Sequence, residues 1–246
     1  MTTTFTLKPK KVGIILGIIA VLMSVLAVIG DSVLLKYDGP DAPGGGNPFI
    51  WPIARQFNFV EEGNIANFYQ GLQLVLASVL LFMIWRGKVQ RREPCRGHWL
   101  ALAIIFLFLG TDEVAQIHET TIANTIAALR HHESDKTGWF WVYLPLLAVF
   151  GLAYIPFLRH LSRRFAMLFM VSGTIYVGGA VAMEKFVNWF AGKYGDDTVG
   201  YVLLDNLGEF MESTGIALFV YTLVSYLAAS GTEIRFRLGE EPGDTK

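Results

Sequence analysis

Long apolar runs separated by short polar stretches set the pattern of the chain. A membrane-spanning helix needs about 20 predominantly apolar residues. Six segments reach or approach that length, at about 12–35, 63–85, 98–124, 139–158, 165–191 and 200–229. The fourth, Trp139 to Leu158, carries no charge. The pattern predicts an all-α fold, a polytopic membrane bundle of six transmembrane helices. No group of spans is accompanied by a soluble core, so residues 1–230 read as one domain. Residues 231–246 read as a polar cytoplasmic tail without regular structure. Between spans one and two, the loop 36–62 contains the Gly- and Pro-rich stretch Gly39 to Pro48, which argues against a regular element. Whether that loop covers a site from outside or only connects two helices stays open. The first run follows Lys8, Lys10 and Lys11. It is longer than the apolar core of a signal peptide, about 7–15 residues, and no A-x-A-like cleavage site follows, so it reads as an uncleaved first helix.

Charge sets the orientation. Of the 20 Lys and Arg residues, an N-inside arrangement places Lys8, Lys10, Lys11, those from Arg86 to Arg96, those from Arg159 to Arg164, and those of the tail on the cytoplasmic side. Lys36, Arg55, Arg130, Lys136 and Lys193 fall outside, and Lys185 falls within a span. That bias predicts both termini in the cytoplasm. Trp51, Trp99, Trp139, Trp141 and Trp189 lie at the predicted span ends, where interfacial aromatics belong. Composition agrees, with 53% hydrophobic and 17% charged residues against about 25% charged in soluble domains. No basic face for nucleic acid is present. The single cysteine, Cys95, excludes an internal disulfide.

Acids interrupt spans three, five and six. An Asp at the centre of a membrane helix costs about 2.5–3.5 kcal/mol to insert, and such residues normally face the bundle interior. On an unbroken helix, Asp112, Gln116 and Glu119 fall at about 0°, 40° and 340°, while Glu113 lies on the margin and His118 well away. Tyr201, Asp205, Glu209 and Glu212 form a matching stripe on span six. Asp112 lies about 20 Å along its helix from Trp99, and Glu212 about 18 Å along its own from Gly200. In a hydrocarbon core about 30 Å thick, both are at mid-depth or in the outer half. The expectation is two antiparallel stripes facing each other. Span five adds Glu184 and Asn188, and span two opens with Glu61, Glu62, Asn64 and Asn67, then Tyr69 and Gln70. The segments Asp112–Thr121 and Asp205–Thr214 align without a gap, but their different positions within their helices argue against an inverted repeat.

So many carboxylates in a low-dielectric band require protons or cations. As a metal site, the oxygen-rich set suits Mn, Fe, Mg or Ca better than Zn. The candidate ligands are Asp112, Glu119, Glu209 and Glu212, then Glu62, Glu113 and Glu184, with His118. Gln116, Asn67, Tyr69, Asp205 and Asn188 would hydrogen-bond those ligands from behind. The paired E-x-x-H motifs of di-iron bundles are absent, and His98, His131, His132 and His160 fall in loops or at helix ends. A proton- or ion-coupled transporter is the second reading. Protonated acids joining helices is the third. A metal-dependent membrane hydrolase or oxidase is a special case of the first, without a G-x-S-x-G motif to support a serine nucleophile. The substrate and the oligomeric state are not legible, and the lipid bilayer is the only partner implied.

The stretches Glu62-Gly-Asn-Ile-Ala-Asn67, Thr111-Asp-Glu-Val-Ala-Gln-Ile-His-Glu119 and Asn206-Leu-Gly-Glu-Phe-Met-Glu-Ser-Thr-Gly215 resemble a family of bacterial multi-pass inner-membrane proteins without an assigned function. The resemblance implies a bacterial inner membrane and no particular reaction. The family pattern holds His118 and Glu119 together.

Overall fold

The computed structural model describes residues 3–4, 8–38, 49–58, 63–130, 139–230 and 235–236. Among them, six helical segments are long and apolar enough to cross a membrane. The first, α1 (Pro9–Asp38), has Pro at its first position, where the missing N–H costs nothing. A short helix, α2 (Ile50–Arg55), follows. Next comes α3 (Ile65–Gln90), capped by Asn64, whose side chain accepts from the N–H groups of Ala66 and Asn67 at 2.9 and 3.2 Å. Beyond it run α4 (Arg96–Ala115), a π-helical segment (Ile117–Ala123) and α5 (Asn124–Arg130). The fourth span is α6 (Phe140–His160). The fifth is α7 (Arg163–Val177), a second π segment (Gly178–Met183) and α8 (Glu184–Tyr194). The sixth, α9 (Val199–Ala229), is capped by Thr198, which accepts from Tyr201 N–H at 3.2 Å.

The last span is the hub. α1, α3 and α7 all pack on α9, and α3 also packs along α4. Gly71 and Gly110 let α3 and α4 approach closely, since a Cβ on Gly110 would lie 3.0 Å from the Gly71 carbonyl oxygen. An apolar core of Leu74, Leu81, Trp99, Ile216, Val220 and Leu223 fills one half of the bundle. In contrast, α6 turns Trp141, Leu144, Leu146, Val149 and Leu152 outward, as a lipid-facing helix does. At the turn between α3 and α4, Glu93 accepts hydrogen bonds from Lys88 and from Arg91, the latter at 2.6 Å. These bonds hold the Glu93 carboxyl below its ordinary pKa.

Four expectations need correction. Span three does not run unbroken over 98–124. It stops at Ala115, Gln116 adopts a left-handed conformation (φ 56°), and the chain restarts as a π segment. The loop 36–62 contains a regular element, α2, and the chain returns from it through Ile65 N–H bonded to the Gln56 carbonyl at 3.2 Å. The tail is not without regular structure, because Arg235–Phe236 (β2) pairs antiparallel with Thr3–Thr4 (β1). That pairing sets Thr3 opposite Phe236 and Thr4 opposite Arg235. Finally, Trp99 is a core residue rather than an interfacial one. It is 1% exposed and packs against Phe157, Phe169 and Tyr226.

Candidate functional site

The polar groups gather between α3, the end of α4, the second π segment with α8, and α9. On α3 the amides of Asn67, Gln70 and Gln73 follow one another at i, i+3 spacing, which makes a slanting row along the helix surface. All three are buried. Gln70 Nε2 donates to Glu209 Oε2 on α9 at 2.6 Å. Asn67 Nδ2 reaches Glu113 Oε1 on α4 at 3.5 Å. Gln73 Nε2 donates to Tyr69 Oη at 2.5 Å, and Tyr69 donates to the Leu16 carbonyl of α1 at 3.1 Å. Amide donors on partly buried carboxylate oxygens are what a low-dielectric surrounding demands of such groups.

The break after α4 builds a second arrangement. Asp112 Oδ1 accepts both the backbone N–H of His118 at 2.8 Å and its Nδ1 at 3.2 Å, and Oδ2 accepts the Tyr143 hydroxyl from α6 at 2.9 Å. The ring of Trp139 stands edge-on to both His118 and Tyr143. A continuous α-helix would carry His118 round to the far side of Asp112. The left-handed Gln116 and the π segment turn it back. A left-handed backbone at a non-glycine residue is uncommon and costly, and π segments recur at functional sites.

The remaining acids meet at α9. Glu209 lies within electrostatic range of Glu113, Asp205 and Glu184, and Glu212 within range of Glu209, Glu113, Glu184 and Asp205. The half-buried Tyr176 of α7 feels Glu212, Glu113, Asp112 and Glu209. The second π segment presses on the same place. A Cβ on Gly179 would lie 2.6 Å from the Gly208 carbonyl oxygen and 2.7 Å from Glu212 Cγ. Ser213, beside Glu212, is 1% exposed, and its hydroxyl has no hydrogen-bond partner.

The two facing stripes are therefore redrawn. Glu113, placed on the margin by ideal helical geometry, is the span-three acid that reaches the α9 carboxylates. Asp112 and His118 form their own unit with Tyr143. Gln116 forms the break itself and carries no stripe position. Tyr69 turns toward α1, and Asn188 is exposed on α8. Glu62 and the side chain of Glu119 lie outside the described residues. Among the described residues, no group of three or more His, Cys, Asp or Glu is arranged to hold a metal ion.

Sequence reasoning missed Asp31. It is 3% exposed within α1, and Asn206 Nδ2 of α9 donates to its Oδ2 at 2.6 Å. Its signal was a lone acid near the end of an otherwise apolar run. Gln73 was missed as well, and its i, i+3 spacing from Gln70 would have marked it.

Six apolar helices and a buried polar band define a multi-pass α-helical membrane protein. Within that class, residues 13–226 match the family model described as Domain of unknown function (DUF8692), and the chain belongs to that family. Among curated proteins and among solved structures, nothing matches.

Proposed function

We propose that the protein is a cation-coupled carrier of the bacterial inner membrane, with both termini cytoplasmic. Its cation would bind in the band formed by Glu113, Glu184, Asp205, Glu209 and Glu212. One observation carries the reading. Two spans carry π segments, one beginning four residues after Glu113 and one ending directly before Glu184, and these acids come within range of Glu209 and Glu212. Interrupted helices at a polar band are how carriers build ion sites inside a bilayer. Intramembrane acids that face one another mark proton and ion paths. The cytoplasmic orientation rests on the Lys and Arg bias, and the bacterial membrane on the motif resemblance.

A metalloenzyme built on Asp112, Glu119, Glu209 and Glu212 with Mn, Fe, Mg or Ca is less well supported. Both Asp112 oxygens are already engaged by His118 and Tyr143. The reading is tested by flux in proteoliposomes under an imposed proton or cation gradient. Wild type should carry flux, and Glu209→Gln and Glu212→Gln should abolish it while remaining folded. Wild-type protein that carries none refutes the carrier. Stoichiometric retained metal in elemental analysis, lost in Glu212→Ala, would put the metal centre in its place.

A further inference from the structure

We propose that the turn between α3 and α4 holds the headgroup of an anionic phospholipid from the adjoining leaflet, with an acyl chain lying along α4. This site is separate from the acidic band and independent of the carrier reading.

The turn is built as a concavity. Arg92, Glu93, Cys95, Arg96 and His98 are among the residues lining an open hollow of about 630 Å³. Arg92 (φ 52°) and Cys95 (φ 58°) are both left-handed, an uncommon and costly conformation for residues with a side chain, so the shape is held against local preference. The fourth span buttresses it. Tyr154 of α6 donates to the His98 carbonyl at 2.9 Å, and the His98 ring stacks on Phe157 with centroids 5.5 Å apart. The acid of the lining, Glu93, is engaged by Lys88 and Arg91. Arg92 and Arg96 are exposed, and neither guanidinium makes an ion pair or hydrogen bond to the described residues.

Two guanidiniums at one hollow, with its acid already bridged, call for an anion. Guanidinium forks match phosphate oxygens. α4 begins at Arg96 without a side-chain cap, so backbone N–H groups add to the same field. What makes the anion a lipid is the path that leads from the hollow. Gly97, Ala101, Ile104 and Phe108 follow one another at four- and three-residue spacing along one face of α4, and all four are exposed. A Cβ on Gly97 would meet nothing within 4 Å. An apolar strip therefore runs from the hollow along the span, and an acyl chain can lie on it. A soluble phosphate ester would use the guanidiniums and leave the strip uncovered. Basic hollows at the ends of membrane helices bind acidic lipid headgroups by the same pairing.

Thermal unfolding of the purified full chain in detergent tests this, with dioleoylphosphatidylglycerol, dioleoylphosphatidylcholine and glycerol 3-phosphate each titrated at matched ionic strength. A lipid that binds the folded state raises Tm with concentration. Phosphatidylglycerol should stabilise most, net-neutral phosphatidylcholine much less, and glycerol 3-phosphate not at all. In the double variant Arg92→Gln, Arg96→Gln the apparent affinity for phosphatidylglycerol should fall about tenfold or more, the loss expected when hydrogen bonds between charged groups are removed. The double variant Lys10→Gln, Lys11→Gln takes the same charge from the start of α1 and should keep wild-type affinity. All four positions are exposed, so Tm without lipid should stay near that of wild type. Native mass spectrometry, counting retained phosphatidylglycerol, reads the same loss without relying on Tm. Equal stabilisation by the two lipids, or none by either, overturns the proposal. Equal weakening in both double variants means diffuse attraction to a basic membrane face and overturns it too. Stabilisation by glycerol 3-phosphate that matches the lipid's makes the hollow a site for a soluble ester, which also overturns it.

Discussion

Gly179→Ala is the sharpest probe of the contact between the fifth and sixth spans. The added Cβ would lie 2.6 Å from the Gly208 carbonyl oxygen, 2.7 Å from Glu212 Cγ and 3.0 Å from the Glu212 nitrogen. Two of these three atoms belong to the α9 backbone and cannot swing aside, so the helices must separate. Overpacking of a close-packed interior costs about 1–3 kcal/mol, and backbone obstacles put this case at the upper end. Alanine recovers about 1 kcal/mol of helix propensity over glycine. The net is about 2 kcal/mol of destabilisation. For a chain of this size, 1 kcal/mol moves Tm by about 2–4 °C, so the expected fall is about 4–8 °C. The assay is thermal unfolding in detergent, with Gly173→Ala measured alongside. Gly173 lies on α7, six residues earlier, and a Cβ there would meet nothing within 4 Å. Only the propensity gain operates at that position, and Tm should rise by about 2–4 °C. If Gly179→Ala matches or exceeds wild type, α7–π–α8 and α9 are not in the contact described.

Three further outcomes follow from the buried hydrogen bonds and the surface turn. Tyr143→Phe strips Asp112 Oδ2 of its donor and should cost about 1.5–3 kcal/mol in unfolding free energy; an unchanged Tm would show that α6 does not secure the break after α4. In a double-mutant cycle, Asp31→Leu and Asn206→Leu should each destabilise by about 1–3 kcal/mol, yet cost less together than their sum. Strict additivity would deny that the pair bonds α1 to α9. Glu93 has its pKa lowered by hydrogen bonds from Lys88 and Arg91, so its contribution is present above the unfolded value of 4.5 and is lost as pH falls through the folded value. The Tm gap between wild type and Glu93→Gln should therefore be small at neutral pH, worth under about 1 kcal/mol for so exposed a bridge. It should close on acidification, and a gap that widened below pH ~4 would contradict the assigned partners.

The spans were legible because their cause is one-dimensional. A run of apolar residues about 20 long reads the same in sequence and in space, and helix ends agree to within a few residues except in span three, which stops at Ala115. The site was less legible because it depends on helical phase. Projecting Asp112, Gln116 and Glu119 onto one stripe assumed about 100° per residue throughout. That assumption failed at Gln116, where no glycine or proline announces the break. Its stabilisation comes instead from Asp112 accepting His118 N–H, a bond visible only in three dimensions. On α9 the helix is regular, so Asp205, Glu209 and Glu212 keep the relation expected of them. Local chemistry explains Asn64 in the same way. Its place just before an apolar run marked a polar entry to span two, and its role is to cap that helix. Trp99 shows the converse limit, since an aromatic at a span end can turn inward as readily as outward.

The bond between Asp31 and Asn206 also has a bearing on biosynthesis. α1 carries an acid whose amide partner on α9 is made 175 residues later. Until α9 arrives, α1 holds that carboxyl at the membrane without Asn206 and without the helix against which it packs. Chains truncated before the sixth span would therefore keep the contacts of α1 with α2 and with Tyr69 of α3, but would leave Asp31 without its amide partner.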